Sequence, residues 1–274
     1  MSERSESNFV TTLDYLPDPR LFSYVFEARG RPLLIRGGVS SWAAVGGWSI
    51  DSLANLVGQQ EFELEYSASR LFDPNISDST NKVITRTVKY QDALVHLCNP
   101  GAGAYYIREA DISSCHRLLR DIGSISLIPE RSRTFSPGLW IGSIGASSPI
   151  HFDGGDYNFL AHISGEKVFR LFPPRDTPKL YPNLFAKLPH LSKVNHLNPD
   201  LIKYPRYADA VYSELVLKPG DLLFVPRNWW HCTISMSLTI SLNFFWQRSW
   251  LSRRSLTVAR LGARLRLKES LVGD

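Results

Sequence analysis

His151 and Asp153 stand two residues apart in PIHFDGGDYNF, Pro149 to Phe159, and His231 closes PGDLLFVPRNWWH, Pro219 to His231. Side chains alternate with period two along a β-strand, so His151 and Asp153 are expected on one face of one strand. From there they can grip a single metal ion, and His231 can complete the set from a distant strand. Two imidazoles and one carboxylate on one side of a metal suit non-haem Fe(II) and leave positions open for a chelating co-substrate and O₂. Taken alone, the His-x-Asp pair is a weak signal, because surface and core histidines are far commoner than ligands. Its setting strengthens it. His231 follows the apolar run LLFVP and the Trp229-Trp230 pair, a costly place for an ionisable group without a partner.

Lys167 lies in GEKVFRLF and shares strand parity with Phe169 and Leu171. A buried ammonium needs an anion, and the far carboxylate of a dicarboxylate co-substrate would serve. The alternative is a lysine snorkelling from a strand edge. Near the end of the strand-rich region, Leu238, Ile240, Leu242 and Phe244 alternate with Thr239, Ser241 and Asn243. The small polar face is that of a pocket lining, although an outer strand facing solvent would alternate in the same way.

The elements that must position these residues follow from pattern. Residues 1–12 are polar and without periodicity, and are expected to be disordered. Asp18 or Pro19 starts a helix through Phe26, LLIRGG is a short strand closed by glycines, and Ser49 caps a helix that Gly58 stops. Phe62, Leu64 and Tyr66 alternate with glutamates as a half-buried strand, KVITRTVKY is a second, and a helix follows up to Asn99-Pro100. AYYIREADI is another strand, while Arg117 to Ile128 is ambiguous between helix and loop. From Leu139 onward nearly everything is strand: LWIGS, PIHFD, YNFLAHI, KVFRLF, SELVLK, DLLFVP and SLTISLNFFW, with turns at Ser164-Gly165 and Pro219-Gly220-Asp221. Many strands with few helices predict a sandwich or barrel. The polar crossing from Pro173 to Val211 is long enough to be functional or to carry short helices of its own.

The 274 residues contain 43% hydrophobic and 21% charged positions, an ordinary globular balance. No apolar run approaches the ~18 residues of a membrane span. Cys98, Cys115 and Cys232 form no CxxC and read as free thiols of a reducing compartment; with the polar start MSERSESNFV they set the expectation of a cytoplasmic protein. The net charge of +5 is concentrated at the end of the chain, where Arg248, Arg253, Arg254, Arg260, Arg264, Arg266 and Lys268 crowd together.

Residues 149–246 closely resemble the catalytic core of the Jumonji C (JmjC) oxygenases, a branch of the cupin superfamily. The resemblance rests on NFLAHISGEKVFRLFPP, NPDLIKYPRY, PGDLLFVPRNWWH and SLNFFW, and the upstream RPLLIRGG with its two tryptophans is similar to the family's N-terminal region. It is strong over about 100 residues and weaker over about 100 more. It implies a mainly β fold with flanking helices around a double-stranded β-helix (jelly-roll, cupin) core. The expected organisation is a flanking α/β region over 13–130, a catalytic core over 131–248 and a basic C-terminal helix over 249–274. It further implies an Fe(II)- and 2-oxoglutarate-dependent dioxygenase using O₂. His151, Asp153 and His231 match the iron ligands, and Lys167 matches the partner of the 2-oxoglutarate carboxylate. Ser148 and, through a looser alignment, Tyr106 match hydroxyls near that carboxylate. Asn158 and Asn243 match amides near the iron and co-substrate.

This sequence departs from the pattern in places. Gly154 and Gly155 add a residue before Asn158, which leaves Asn158 free to point elsewhere. His162 stands where glutamine is common, either reaching the pocket or serving as a structural histidine. An Asp ligand in place of Glu resembles the hydroxylase branch more than the histone-demethylase branch. The expected substrate is thus a protein or peptide side chain; a tRNA base, a small metabolite or a non-catalytic binding role are the alternatives, although the last would go with loss of a ligand or of Lys167. Specificity would reside in Leu64 to Arg86 and Arg175 to Asp209. Trp229 and Trp230 either wall the cavity or pack the core. The basic tail either forms an amphipathic helix that packs on the barrel or makes a homodimer, or offers RNA a phosphate-binding face.

Overall fold

The structure, a computed structural model, describes residues 8–75, 82–183, 188 and 190–247. The flanking region supplies β1 (Thr11–Leu13), α1 (Pro19–Phe22), β2 (Leu33–Ile35), α2 (Ala44–Gly47), α3 (Ile50–Val57), β3 (Glu61–Ser67), β4 (Ile84–Lys89), α4 (Tyr90–Cys98), β5 (Ala104–Asp111) and α5 (His116–Asp121). The remainder is β6 (Arg133–Thr134), β7 (Gly138–Gly142), β8 (Tyr157–Ser164), β9 (Lys167–Phe172), β10 (Ser213–Leu217), β11 (Leu222–Val225), β12 (Trp230–Ser235) and β13 (Thr239–Gln247). The helix starts have visible causes. Asp18 accepts hydrogen bonds from the Arg20 and Leu21 amides ahead of Pro19, and Ser49 and Ser52 cap α3 reciprocally. No helix among the described residues is long and apolar enough to cross a membrane.

The strands form two sheets. The larger runs β1-β2-β11-β8-β13-β7-β5-β3-β4, with β6 on β13, and the smaller runs β10-β9-β12. Strands of 13–130 thus join the same sheet as those of 131–248, β2 pairing with β11 and β5 with β7. Period two decides what each face meets. Phe159 and Ala161 of β8, Phe224 of β11 and Leu242 of β13 face outward into a large core with Phe22, Trp48, Leu53 and Leu97 from the helices. Leu160 of β8 and Leu223 of β11 point the other way, onto Phe169 and Leu171 of β9. The space between the sheets is therefore apolar at one end, and polar where β13 turns Ser241 and Asn243 inward. This is the jelly-roll core.

Three details differ from the sequence reading. Thr11 and Thr12, placed in the disordered N-terminus, belong to β1, which gains backbone hydrogen bonds by pairing in parallel with β2. PIHFD forms no regular strand: His151 sits in an isolated bridge, its amide 2.9 Å from the His231 carbonyl and the His231 amide 2.7 Å from its own. His231 in turn lies on β12, a strand that the sequence reading did not assign. The crossing from Pro173 carries short helices of its own, as its length suggested, with 3₁₀ turns at Pro174–Lys179 and Pro205–Asp209. The expected C-terminal helix over 249–274 lies outside the described residues, as do residues 1–7.

Candidate metal and co-substrate site

A cavity of about 730 Å³ opens between the two sheets. His151, Asp153, His231, Lys167, Ser148, Asn158, Asn243 and Tyr106 all line it, so the structure gathers every site residue taken from the sequence into one place.

At one end, ligand atoms of His151, Asp153 and His231 lie within 4.8 Å of one another. The backbone pairing of residue 151 with residue 231 brings the two imidazoles together, their centroids 4.2 Å apart and their planes tilted by 53°. His151 Nδ1 donates to the Pro149 carbonyl at 2.8 Å and His231 Nδ1 to the Trp229 carbonyl at 3.3 Å. A carbonyl can only accept, so each ring carries its proton on Nδ1 and offers the Nε2 lone pair. Those Nε2 atoms lie 3.8 and 3.7 Å from Asp153 Oδ1. Burial, reinforced by the neighbouring His231, pushes the His151 pKa down to about 3, and burial pushes that of His231 to about 4. Both rings are therefore neutral and free to ligate. Burial raises the Asp153 pKa, as for a carboxylate lacking a full charge partner.

Asn158 does not point elsewhere. Gly154 and Gly155 take φ of +59° and +110°, and this tight turn absorbs the extra residue. The Asn158 amide then donates to Asp153 Oδ2 at 3.1 Å, leaving Oδ1 for a metal. Phe169 stacks on the other face of His231, centroids 5.1 Å apart.

Lys167 defines the second end. It is 1% exposed, and its Nζ lies 3.1 Å from Ser241 Oγ and 5.8 Å from the centre of the Tyr106 ring. No carboxylate among the described residues pairs with it, and burial drops its pKa to about 7. Pairing of Ser235 with Lys167 and of His231 with Leu171 places the two ends four residues apart along β9 and β12, roughly 13 Å of strand. Ser148 Oγ accepts from the Thr233 amide at 2.9 Å and is held beside Thr233 Oγ1 at 3.1 Å. Burial raises the Tyr106 hydroxyl to about 12, so it stays protonated as a donor. The Oδ1 atoms of Asn158 and Asn243 are buried and unpartnered.

Sequence reasoning missed several neighbours. Thr233 was findable by parity, two residues from His231 on β12. Glu65 is held by Arg108 in an ion pair, and Glu109 sits at φ +49° beside a register shift between β5 and β7; both line the cavity. A β-bulge has no signature in this sequence. Trp229 and Trp230 belong to the packing: their indole N–H groups donate to the Gly30 carbonyl and to Thr177 Oγ1, each at 2.9 Å, and neither lines the cavity.

The residues fit both absent groups. Three convergent, correctly protonated donors fit a divalent metal, and an unpaired buried ammonium in the same cavity fits an acidic ligand. A double-stranded β-helix with such a set between its sheets defines a cupin-type metal site. The chain belongs to the cupin-like domain family, whose profile matches residues 19–251. It is 32% identical over 241 residues to zebrafish (Danio rerio) lysine-specific demethylase 8, covering 85% of this chain and 57% of that protein. It is 40% identical over 129 residues to human HSPB1-associated protein 1, covering 45% and 25% of the two chains. Drosophila melanogaster Jumonji C domain-containing protein 5 is 27% identical over 233 residues, covering 81% and 56%. These matches thus span between a quarter and just over half of the relatives' own lengths. They agree with the JmjC resemblance read from the sequence and with iron- and 2-oxoglutarate-type oxygenase chemistry.

Proposed function

We propose that the protein is an Fe(II)- and 2-oxoglutarate-dependent dioxygenase that hydroxylates a C–H bond of a protein or peptide side chain. The observation that carries this reading is the buried Lys167 ammonium, without a carboxylate partner among the described residues, in one cavity with His151, Asp153 and His231. Iron with 2-oxoglutarate and O₂ supplies the oxidising power, 2-oxoglutarate leaving as succinate and CO₂. The chain's own residues bind and orient. The two Nε2 atoms and Asp153 Oδ1 hold the metal, and Asn158 fixes the carboxylate's rotation. Lys167 neutralises the far carboxylate of the co-substrate, with the Ser148 and Tyr106 hydroxyls beside it as donors. Leu160 and Phe169 keep water from the space between. The peptide would enter past Glu65, Glu109, Asp156 and His190, which line the same cavity and derive partly from the two segments expected to set specificity.

The carboxylates of Glu109 and Asp156 favour a second reading of the substrate, a basic side chain oxidised at an N-methyl carbon, in keeping with the name of the zebrafish relative. A cytosolic setting is supported by the free thiols of Cys98, Cys115 and Cys232. Incubation of candidate peptides with the protein, Fe(II) and 2-oxoglutarate, followed by mass spectrometry, tests the proposal. Gain of one oxygen atom with matching succinate supports hydroxylation, and loss of a methylene from a methylated peptide supports the second reading. No succinate from the folded, iron-loaded protein with any peptide contradicts both.

A further inference from the structure

His162 of β8 is fully buried and lies outside the cavity lining, yet both ring nitrogens are engaged. Its Nε2 is 2.9 Å from the Gly165 carbonyl oxygen and its Nδ1 is 3.0 Å from Ser241 Oγ. The carbonyl can only accept, so Nε2 carries a proton. Burial, and secondarily the Lys167 charge, push the ring's pKa down to about 3, which leaves it neutral and makes Nδ1 an acceptor. The single Ser241 proton goes to Nδ1. The oxygen's lone pairs are then left for the Lys167 ammonium, 3.1 Å away. One carbonyl thus sets the direction of every hydrogen bond from Gly165 to Lys167.

Two backbone features build this chain. Gly165 turns β8 into β9 at φ +79°, where an added Cβ would lie 2.1 Å from the Leu238 carbonyl oxygen, so only glycine fits. The pairing of β13 with β8 shifts register between Ile240 and Ser241, and the shift sets Ser241 directly opposite His162.

We propose that His162 is a positioning residue for the co-substrate's far carboxylate, acting through Ser241 to hold the Lys167 ammonium in one orientation. One of the three ammonium hydrogens is committed to Ser241, and the other two face the ligand. The inference rests on the reading of Lys167 as the carboxylate's partner. Without the imidazole, the Ser241 hydroxyl has no fixed acceptor and its proton is free to turn against the ammonium.

The test is calorimetric titration of the 274-residue, Mn(II)-loaded protein with 2-oxoglutarate and with 2-oxobutanoate, which keeps the keto acid but lacks the far carboxylate. His162→Leu is expected to weaken 2-oxoglutarate about tenfold, the scale of a hydrogen bond to a charged group, and to leave 2-oxobutanoate unchanged. His162→Gln, whose amide can accept from Ser241 and donate to Gly165, should restore binding. Ser241→Ala should reproduce the loss without touching the buried ring, which keeps the inference testable where His162→Leu does not fold. If Lys167→Ala loses 2-oxoglutarate selectively while His162→Leu and Ser241→Ala bind as wild type, or weaken both ligands equally, the inference is overturned and the reading of Lys167 stands. If Lys167→Ala binds 2-oxoglutarate as wild type does, that reading falls and takes the inference with it.

Discussion

At the His-Asp-His end of the cavity, two of the three ligands come from a stretch with no regular strand, bridged to β12, and the His151 side chain is 20% exposed. At the lysine end, Lys167, Ser241 and His162 all stand on paired strands and are almost wholly buried. Burial acts on both ends with opposite consequences. A neutral imidazole is the form that ligates a metal, so driving the histidine pKa values down prepares that end. The same desolvation leaves an ammonium at the other end that, among the described residues, a hydroxyl and an aromatic face alone relieve. One end is complete before anything binds. On the proposed function, the other is stabilised by its ligand.

That contrast orders the expected effects. Removing a ligand by His231→Ala should weaken divalent-metal binding by more than the ~100-fold that loss of a supporting group costs, as measured by Mn(II) titration. Lys167→Ala should leave metal binding intact and cost about 3–5 kcal/mol of 2-oxoglutarate affinity, because the far carboxylate is then buried unpaired. The contrast sharpens further with Lys167→Met. Replacing an uncompensated buried charge by an apolar group of similar length should raise the melting temperature of the ligand-free protein, in line with the ~1–4 kcal/mol gained when buried ion pairs are replaced. A drop would show that the ammonium already has a partner.

The pH dependence should divide the two ends in the same way. Burial pushes the Lys167 pKa from its usual 10.5 down to about 7, so it is charged below that pH and neutral above it. Only the charged form pairs with a carboxylate. The apparent 2-oxoglutarate affinity should therefore fall with rising pH above about 7, approaching tenfold per unit, with proton uptake on binding visible as a buffer-dependent heat. The histidines, already neutral, should contribute little over that range. Asn158→Ala, which frees Asp153 to rotate, should cost about 10- to 100-fold in metal affinity. Smallest of all, Ser49→Ala, at the cap of α3 and remote from the cavity, should cost about 1 kcal/mol of stability by chemical denaturation and no ligand affinity.

The same division runs through what the sequence could disclose. Strand parity exposed the lysine end well. Lys167 with Phe169 and Leu171, and Ser241 with Asn243, fall on the faces that period two assigns, and the burial of Ser241 rules out an outer, solvent-facing strand. Parity reached the right residues at the other end for a reason that does not hold. His151 and Asp153 converge although no regular strand carries them, because a two-hydrogen-bond bridge to β12 and the 154–155 turn fix their directions. Residue types and spacing proposed that set, and the resemblance to a known family matched it residue by residue. Features that depend on register escaped altogether: the bulge that sets Ser241 against His162, the left-handed Glu109, and the ion pair of Glu65 with Arg108 across strands β3 and β5. A sandwich or barrel was legible because its turns carry glycine and its strands alternate, and the family resemblance narrowed it to the jelly roll. How β1 adds to β2 was not, since three residues carry no period.

The most direct measurement is an anaerobic titration of the metal-free protein with Fe(II) and then with 2-oxoglutarate, following the visible metal-to-ligand charge-transfer absorption. A band that forms in the wild type, is absent in His151→Ala and needs far more 2-oxoglutarate in Lys167→Ala is the expected result. A correctly folded wild-type protein that gives no band at saturating Fe(II) and 2-oxoglutarate would contradict the oxygenase reading.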